Sequence, residues 1–258
     1  MGLQELDLAG QHAVVVGGTS GIGLALALGL ARAGADVAVA GRRLPLAQAA
    51  ARQIAALGRR GVAAAADVTD RASLEALHAQ AEAEFGTVEV LLNCAGYTRR
   101  RATLEVPRDE WQGILDTNLT GTLLACQVFG RGMLERGYGR IVNIGSLTSF
   151  VAMYEVAAYA ASKAAVASLT RSLAVEWARR GVTVNAIAPG VFRTDINREL
   201  LDGTARGQEL LLRTPMGRFG QVEELVGAAV FLASRAAGFV TGHVLAVDGG
   251  FLASGVNQ

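Results

Sequence analysis

The sequence predicts an α/β fold of the doubly wound kind, a seven-stranded parallel sheet flanked by helices, and three observations carry that prediction. Seven short apolar runs recur along the chain, at residues 13–16, 36–40, 62–66, 88–92, 140–144, 183–187 and 243–247. Stretches of helical composition separate them, and such alternation implies parallel strands with helices on both faces. The first run passes through a glycine-rich turn straight into the first helical stretch. With 258 residues and neither a Pro- or Ser-rich linker nor a repeat, residues 1–258 read as one domain.

Bulk properties narrow the partners. A net charge of +1 argues against nucleic acid, which needs a basic patch. Two cysteines, Cys94 and Cys126, make no disulfide framework and read as packing thiols. The N-terminus has no basic segment followed by an apolar core, and no uncharged apolar run reaches ~18 residues. Met1-Gly2 would suit myristoylation, but position 6 is Leu rather than Ser or Thr. The expectation is a soluble, cytoplasmic protein. His12, His78 and His243 are scattered, and no metal-ligand cluster appears.

Taken in order, the first strand (13–16) runs into Gly17-Gly18-Thr19-Ser20-Gly21-Ile22-Gly23 and then a helical stretch at 24–33. That is the strand, turn and helix of a dinucleotide site: glycines let the backbone approach a pyrophosphate resting on the helix N-terminus. Gly17, Thr19, Ser20, Gly21, Ile22 and Gly23 are the candidate contacts. At the end of the second strand, an acidic side chain would bind the adenosine ribose and select NAD. Gly41 stands there, followed by Arg42 and Arg43, while Asp36 lies too early in the strand. Either arginine could pair with a 2′-phosphate, which favours NADP; if both are solvated, NAD serves as well.

The fifth strand (140–144) exits into Ser146, which could donate a hydrogen bond to a carbonyl or alkoxide oxygen. Thirteen residues on, Tyr159 and Lys163 stand four apart in a helical run at 157–175 and share one face. A free tyrosine titrates near ~10, and a lysine ammonium beside it favours the phenolate. Bringing that value to about 7 needs ~4 kcal/mol, much of which one cation in a partly dry site could supply. An Ala-rich helix can carry such a pair without function, so the weight rests on the combination with Ser146 and the glycine turn.

Together these features resemble the short-chain dehydrogenase/reductase family over nearly the whole chain. Gly17, Gly21 and Gly23 match its Gly-x-x-x-Gly-x-Gly turn, with Val16 where a Thr often precedes it. Asp67-Val68 matches the acidic segment that holds the adenine amino group, and Asn93-Cys94-Ala95-Gly96 matches Asn-Asn-Ala-Gly with Cys for the second Asn. Asn118 matches the helix Asn of a water-linked proton relay; Ser146, Tyr159 and Lys163 match the catalytic centre. Pro189-Gly190 with Thr194 matches the segment beside the nicotinamide amide, and Asp248-Gly249-Gly250 the C-terminal signature. The resemblance implies a Rossmann-like domain and an NAD(P)-dependent oxidoreductase. Tyr159 would exchange the substrate proton and Ser146 steady the oxygen. Lys163 would lower the Tyr pKa and bind the nicotinamide ribose, and Asn118 would place the relay water. Asp67, Val68, Asn93, Ala95, Gly96, Pro189, Gly190 and Thr194 are the further cofactor positions it implies.

The loops are similar to those of the gluconate 5-dehydrogenase and 2-deoxygluconate 3-dehydrogenase branch, which implies a sugar, polyol or sugar-acid substrate. Arg99, Arg100 and Arg101 would suit a carboxylate or phosphate, or form a solvated loop or subunit contact. Arg99, Thr148, Tyr154 and Phe192 are the candidate substrate contacts, with Arg193 and Glu155 near them. A helix at 197–212 resembles the family's mobile lid. A 3-oxoacyl thioester reductase shares every core motif, and a non-catalytic dinucleotide sensor is the third reading. The resemblance also implies a homotetramer, with helical stretches 111–134 and 157–178 at its main interface.

Overall fold

The computed structural model describes residues 4–193 and 201–257. Seven strands form one sheet: β1 His12–Val16, β2 Asp36–Gly41, β3 Gly61–Ala65, β4 Val90–Asn93, β5 Gly139–Ile144, β6 Val182–Pro189 and β7 Val244–Val247. Their order is β3-β2-β1-β4-β5-β6-β7, and every neighbouring pair is parallel. All seven runs read from the sequence are strands, with ends displaced by no more than two residues. The fold is therefore a Rossmann-like doubly wound sheet flanked by helices.

Burial on both faces explains why the central runs are continuously apolar rather than alternating. Ala13 and Val15 of β1 face one core layer; Val14 and Val16 face the other. The first layer is closed by α1 (Gly21–Arg32), α2 (Leu44–Ala56) and a helix near the C-terminus at Val226–Ala233, through Leu26, Leu30, Ile54 and Ala229. The second is closed by α3 (Arg71–Phe85), a helix at Gly121–Arg136 and a long one at Ala157–Trp177, through Leu74, Leu77, Phe129, Met133 and Leu173.

Two helical expectations change. The stretch read as one helix at 111–134 is α4 (Arg108–Leu115), a π turn over Asp116–Thr120, and α5 (Gly121–Arg136). The turn is defined by the Gly121 N–H reaching back five residues to the Asp116 carbonyl. Glycine is required at 121 because a Cβ there would meet Val68 Cγ2 at 2.7 Å, so α5 starts hard against the loop after β3. The long helix α6 (Ala157–Trp177) follows as expected, and its Trp177 ring fills the space a side chain at Gly130 would need. The helix expected at 197–212 lies partly outside the described residues. Within them, Gly203 takes a left-handed φ of +69°, and α7 (Ala205–Leu212) begins afresh beyond Thr204, whose hydroxyl accepts the Gly207 N–H at 2.9 Å. A glycine in that conformation breaks the helical path. The Val226–Ala233 helix is then α8. None of the helices in the described residues is long and apolar enough to cross a membrane.

Candidate active site

Gly17, Gly96, Ser146 and Gly190 follow the C-terminal ends of β1, β4, β5 and β6, the edge at which open α/β sheets bind ligands. At the end of β1 the chain turns so tightly that backbone packs on backbone. Gly17 has φ +80°, and a Cβ there would lie 2.5 Å from the Ala95 nitrogen. Gly21 has φ +51°. A Cβ at Gly23 would lie 2.1 Å from the Gly17 carbonyl oxygen. The N-terminus of α1 carries no acidic residue in its first turn, and Ser20 at the N-cap makes no side-chain capping bond. Its first N–H groups therefore keep their donor capacity for an anion, the arrangement a dinucleotide's pyrophosphate needs. A dinucleotide fits this cradle.

At the end of β2, a Cβ on Gly41 would meet Thr19 Cγ2 at 2.9 Å, so the turn and the strand end are in contact. Arg42 and Arg43 are exposed there. Asp36 sits at the opposite end of β2, bonded to Arg60 (2.6 Å) and Arg59 (2.9 Å), far from any ribose position. The Asp67 carboxylate accepts the Thr69 N–H at 2.9 Å and hydroxyl at 2.7 Å; those bonds, with Arg42 adding charge attraction, hold its pKa low. Val68 is buried against Gly121. Asn93 ends β4. Its side chain is buried in the sheet, donating to Asn143 Oδ1 at 2.9 Å, and Asn143 in turn donates to Thr170 Oγ1 at 2.9 Å. Only the backbone of Asn93 is left to face a cofactor. Gly190 follows Pro189 at the end of β6 and abuts Asp248, whose carboxylate accepts the Gly250 and Leu252 N–H groups. Thr194 lies outside the described residues.

The Ser146, Tyr159 and Lys163 cluster spans the turn after β5 and α6. Lys163 is buried and donates to the Ile144 carbonyl at 2.7 Å, with Nζ 5.7 Å from the Tyr159 ring centre. Burial lowers its pKa to about 8, against a smaller opposing pull from Cys94. Burial also raises the pKa of Tyr159, and a hydrogen bond from Ser146 works the other way. The expected depression of the phenol by the neighbouring ammonium is therefore absent in this arrangement: Lys163 is turned to a backbone carbonyl, and desolvation wins. Cys94 and Cys126 are pushed up to about 12 by burial, as thiols that pack rather than react.

Asn118, on the π turn, is fully engaged. Its Oδ1 accepts the Tyr97 N–H at 2.9 Å, and its Nδ2 donates to the Tyr97 carbonyl at 3.0 Å and to Ser162 Oγ at 3.0 Å. Its own carbonyl accepts the Thr122 hydroxyl at 2.8 Å. Gly96 has no side chain because one would press on Asn118 Oδ1 at 3.1 Å, with Lys163 Nζ at 3.5 Å. The sequence reading passed over Asn143, Thr170, Ser149 and Ser162. Each lies within seven residues of a recognised motif, but nothing in its type or spacing marks its contact.

The loops expected to contact substrate are held by charge. Arg101 makes a two-pronged bond to Glu110, both arms at 3.0 Å, and Arg99 Nε lies 3.9 Å from the same carboxylate. Arg100 pairs with Glu155 at 2.5 Å, and the Arg101 N–H bonds the Glu155 carbonyl at 2.8 Å. Among the described residues Glu155 is the one non-glycine with positive φ, +64°. Arg206 of α7 donates to the Tyr154 carbonyl at 3.2 Å, and Arg193 pairs with Asp202. Tyr154 is exposed; Thr148 is buried beside Ser146 with its Oγ1 making no hydrogen bond. Phe192 corrects the sequence reading: it is buried in the core, its ring occupying the place a side chain at Gly220 would need, rather than facing the cleft.

A protein-family model described as enoyl-(acyl carrier protein) reductase matches residues 16–252. The gluconate 5-dehydrogenase of Gluconobacter oxydans is 43% identical over 248 residues, covering 96% of this chain and 97% of that protein. The 2-dehydro-3-deoxy-D-gluconate 5-dehydrogenase of Bacillus subtilis is 41% identical, covering 95% and 96%. A crystal structure of a gluconate 5-dehydrogenase from Burkholderia cenocepacia, in complex with NADP and tartrate, superposes with a TM-score of 0.94 at 41% identity, over 97% and 98% of the two chains.

Proposed function

We propose, from the premise that this chain belongs to the short-chain dehydrogenase/reductase family and is an NAD(P)-dependent dehydrogenase acting on CH–OH groups, that it interconverts a secondary alcohol and a ketone on a sugar acid. Gluconate is the first candidate, related polyols and sugars the next, and NADP the preferred cofactor. The observation that carries the substrate class is the roughly 40% identity, over nearly the full chain, to enzymes named for gluconate and deoxygluconate. Arg99 supports it: its Nε lies 3.9 Å from Glu110, whereas Arg100 and Arg101 are taken up by Glu155 and Glu110, and a guanidinium fork suits a carboxylate. Exposed Arg42 and Arg43, with Gly41 in place of an acid, support NADP.

When bound, the nicotinamide accepts or supplies the hydride. Gly17, Thr19, Ser20, Gly21, Ile22 and Gly23 cradle its pyrophosphate. Asp67, Val68, the Asn93–Gly96 backbone, Pro189, Gly190 and Thr194 line the rest of its site. Tyr159 takes the substrate hydroxyl proton in oxidation and returns it in reduction, while Ser146 donates to the reacting oxygen. Lys163 would hold the nicotinamide ribose, and its charge beside Tyr159 would stabilise the phenolate. Asn118 fixes the Tyr97 backbone and, through its π turn, the water that feeds Lys163. Arg99, Thr148 and Tyr154 border the substrate. The working form is a single-domain cytoplasmic homotetramer, which light scattering tests.

The experiment is turnover of sugar acids, polyols and sugars with NADP and with NAD, read by reduced-cofactor absorbance, alongside an acetoacetyl thioester with NADPH. Oxidation of gluconate with a lower KM for NADP is the expected result. Turnover of the thioester alone moves the enzyme to acyl reduction; cofactor binding without any turnover makes it a sensor.

A further inference from the structure

The turn that carries Ser146 is a 3-10 segment, Leu147–Ser149, packed against α6. Its hydrogen bonds run in series. Ser146 Oγ accepts the Thr148 N–H at 3.1 Å, which fixes the hydroxyl's rotation. The Ser146 N–H bonds Ser149 Oγ at 3.3 Å, and Ser149 Oγ donates at 2.8 Å to the backbone carbonyl of Lys163. One hydroxyl thus joins the backbone of the candidate oxygen-holding residue to the backbone of the candidate ribose-holding residue. Ser149 is half-buried, and a side chain at Gly145 would come within 3.2 Å of its Oγ. We infer that Ser149 is a positioning residue that sets the place of Ser146 relative to Tyr159 and Lys163. The inference rests on the proposed catalytic roles of those three residues.

Alanine at 149 leaves the Ser146 N–H and the Lys163 carbonyl without their shared partner. The carbonyl keeps its intrahelical bond, so α6 survives; the turn loses its only side-chain tie to Lys163 among the described residues. Ser146 then drifts from the Tyr159 hydroxyl, and small misplacements of this kind reduce rates by up to about a hundredfold. A second consequence separates positioning from scaffolding. The Ser146 bond lowers the Tyr159 pKa against burial, so weakening it moves the phenol's titration upward. The other ionisable groups of the cluster are Lys163, on the same helix, and Cys94, which acts on Lys163 from the end of β4. Ser149→Ala removes neither of these groups.

The test compares wild type, Ser149→Ala and Ser149→Thr. Ser149→Ala is expected to lower kcat roughly ten- to a hundredfold, with NADPH binding and melting temperature close to wild type, and Ser149→Thr to recover most of the loss. Ultraviolet titration of phenolate, referenced to Tyr159→Phe, is expected to show Tyr159 ionising at higher pH in Ser149→Ala. That reading needs no turnover, so failure to oxidise gluconate bears on the substrate and not on Ser149. Unchanged Tyr159 titration in Ser149→Ala overturns the inference, as does an equal loss of kcat in Ser149→Thr, or a fall in NADPH binding matching the fall in rate.

Discussion

The two lips of the cleft are built in opposite ways. On the cofactor side, between β1 and α1, backbone touches backbone: side chains at Gly17 and Gly23 would overlap main-chain atoms at 2.5 and 2.1 Å. On the substrate side, the loops at 97–101 and 150–156 and the helix α7 meet through guanidinium groups, carboxylates and carbonyls. The first arrangement accepts one residue type and fixes a shape. The second accepts many charge pairings at small cost, because exposed ion pairs contribute only about 0–1 kcal/mol each. A fold that must hold one cofactor and vary its substrate has reason to be rigid on one lip and exchangeable on the other.

Tyr159 stands where the lips meet, and its removal is the largest effect expected. Tyr159→Phe should lower kcat by about 10²–10⁴, the worth of a positioned acid–base group, while NADPH binding measured by fluorescence stays within about twofold. Parallel loss of binding would mean that the two lips cannot be separated at this residue. Next comes Gly23→Ala. The added methyl cannot be absorbed by a flexible neighbour, because the atom it meets is the Gly17 carbonyl. Destabilisation of about 1–3 kcal/mol in urea unfolding, with weaker NADP binding, is expected. An unperturbed variant would remove the claim that this lip is closed by backbone contact.

What could be read from the sequence follows the same division. All seven strands were legible because burial on both faces demands apolar runs, and the glycine turn was legible because only glycine solves its geometry. Gly17 and Ser146 follow strand ends at one edge of the sheet, and α6 brings Tyr159 and Lys163 to the same edge, where Lys163 reaches the Ile144 carbonyl. The direction of Lys163 was not legible: four-residue spacing puts it on the Tyr159 face but does not say that the Ile144 carbonyl captures its ammonium. Nor was the fate of Phe192, since an aromatic residue beside a cleft has the same composition as one packed on Gly220. The arginine run was visible, but its partners Glu110 and Glu155 come from separate elements, and pairing between loops leaves no periodicity to read.

Lys163 gives a pH test of burial. Its pKa falls to about 8 in the folded chain from an ordinary 10.5, so the folded state releases this proton first. Between those values the unfolded chain binds more protons, and stability rises with pH. Wild type should therefore gain stability relative to Lys163→Met as pH rises through that window; a constant difference would show that Lys163 is hydrated. A smaller effect is expected at the cofactor's edge. Arg42→Ala should raise the KM for NADP about tenfold, or ~1.4 kcal/mol, and leave that for NAD nearly unchanged. Equal changes for both would take Arg42 out of 2′-phosphate recognition.

The smallest effect expected is on the exchangeable lip, at Glu155. Its φ of +64° costs a side chain about 1–2 kcal/mol, and the Arg100 pair returns no more than about 1. Glu155→Ala keeps the backbone cost and loses the pair, so it should be slightly less stable than wild type. Glu155→Gly also loses the pair but removes the strain, against roughly 0.5–1 kcal/mol of extra chain entropy. Glycine should therefore be the more stable of the two variants, by up to about 1 kcal/mol in urea unfolding. Both variants free Arg100, and both should change the substrate KM while leaving the KM for NADP alone, because among the described residues the polar bonds of Glu155 run to Arg100 and Arg101 and not to the backbone-built lip. If the two variants are equally stable, the left-handed turn is held by the loop's own hydrogen bonds, such as that from the Arg101 N–H to the Glu155 carbonyl, and the substrate lip is stiffer than its charge pairs alone would make it.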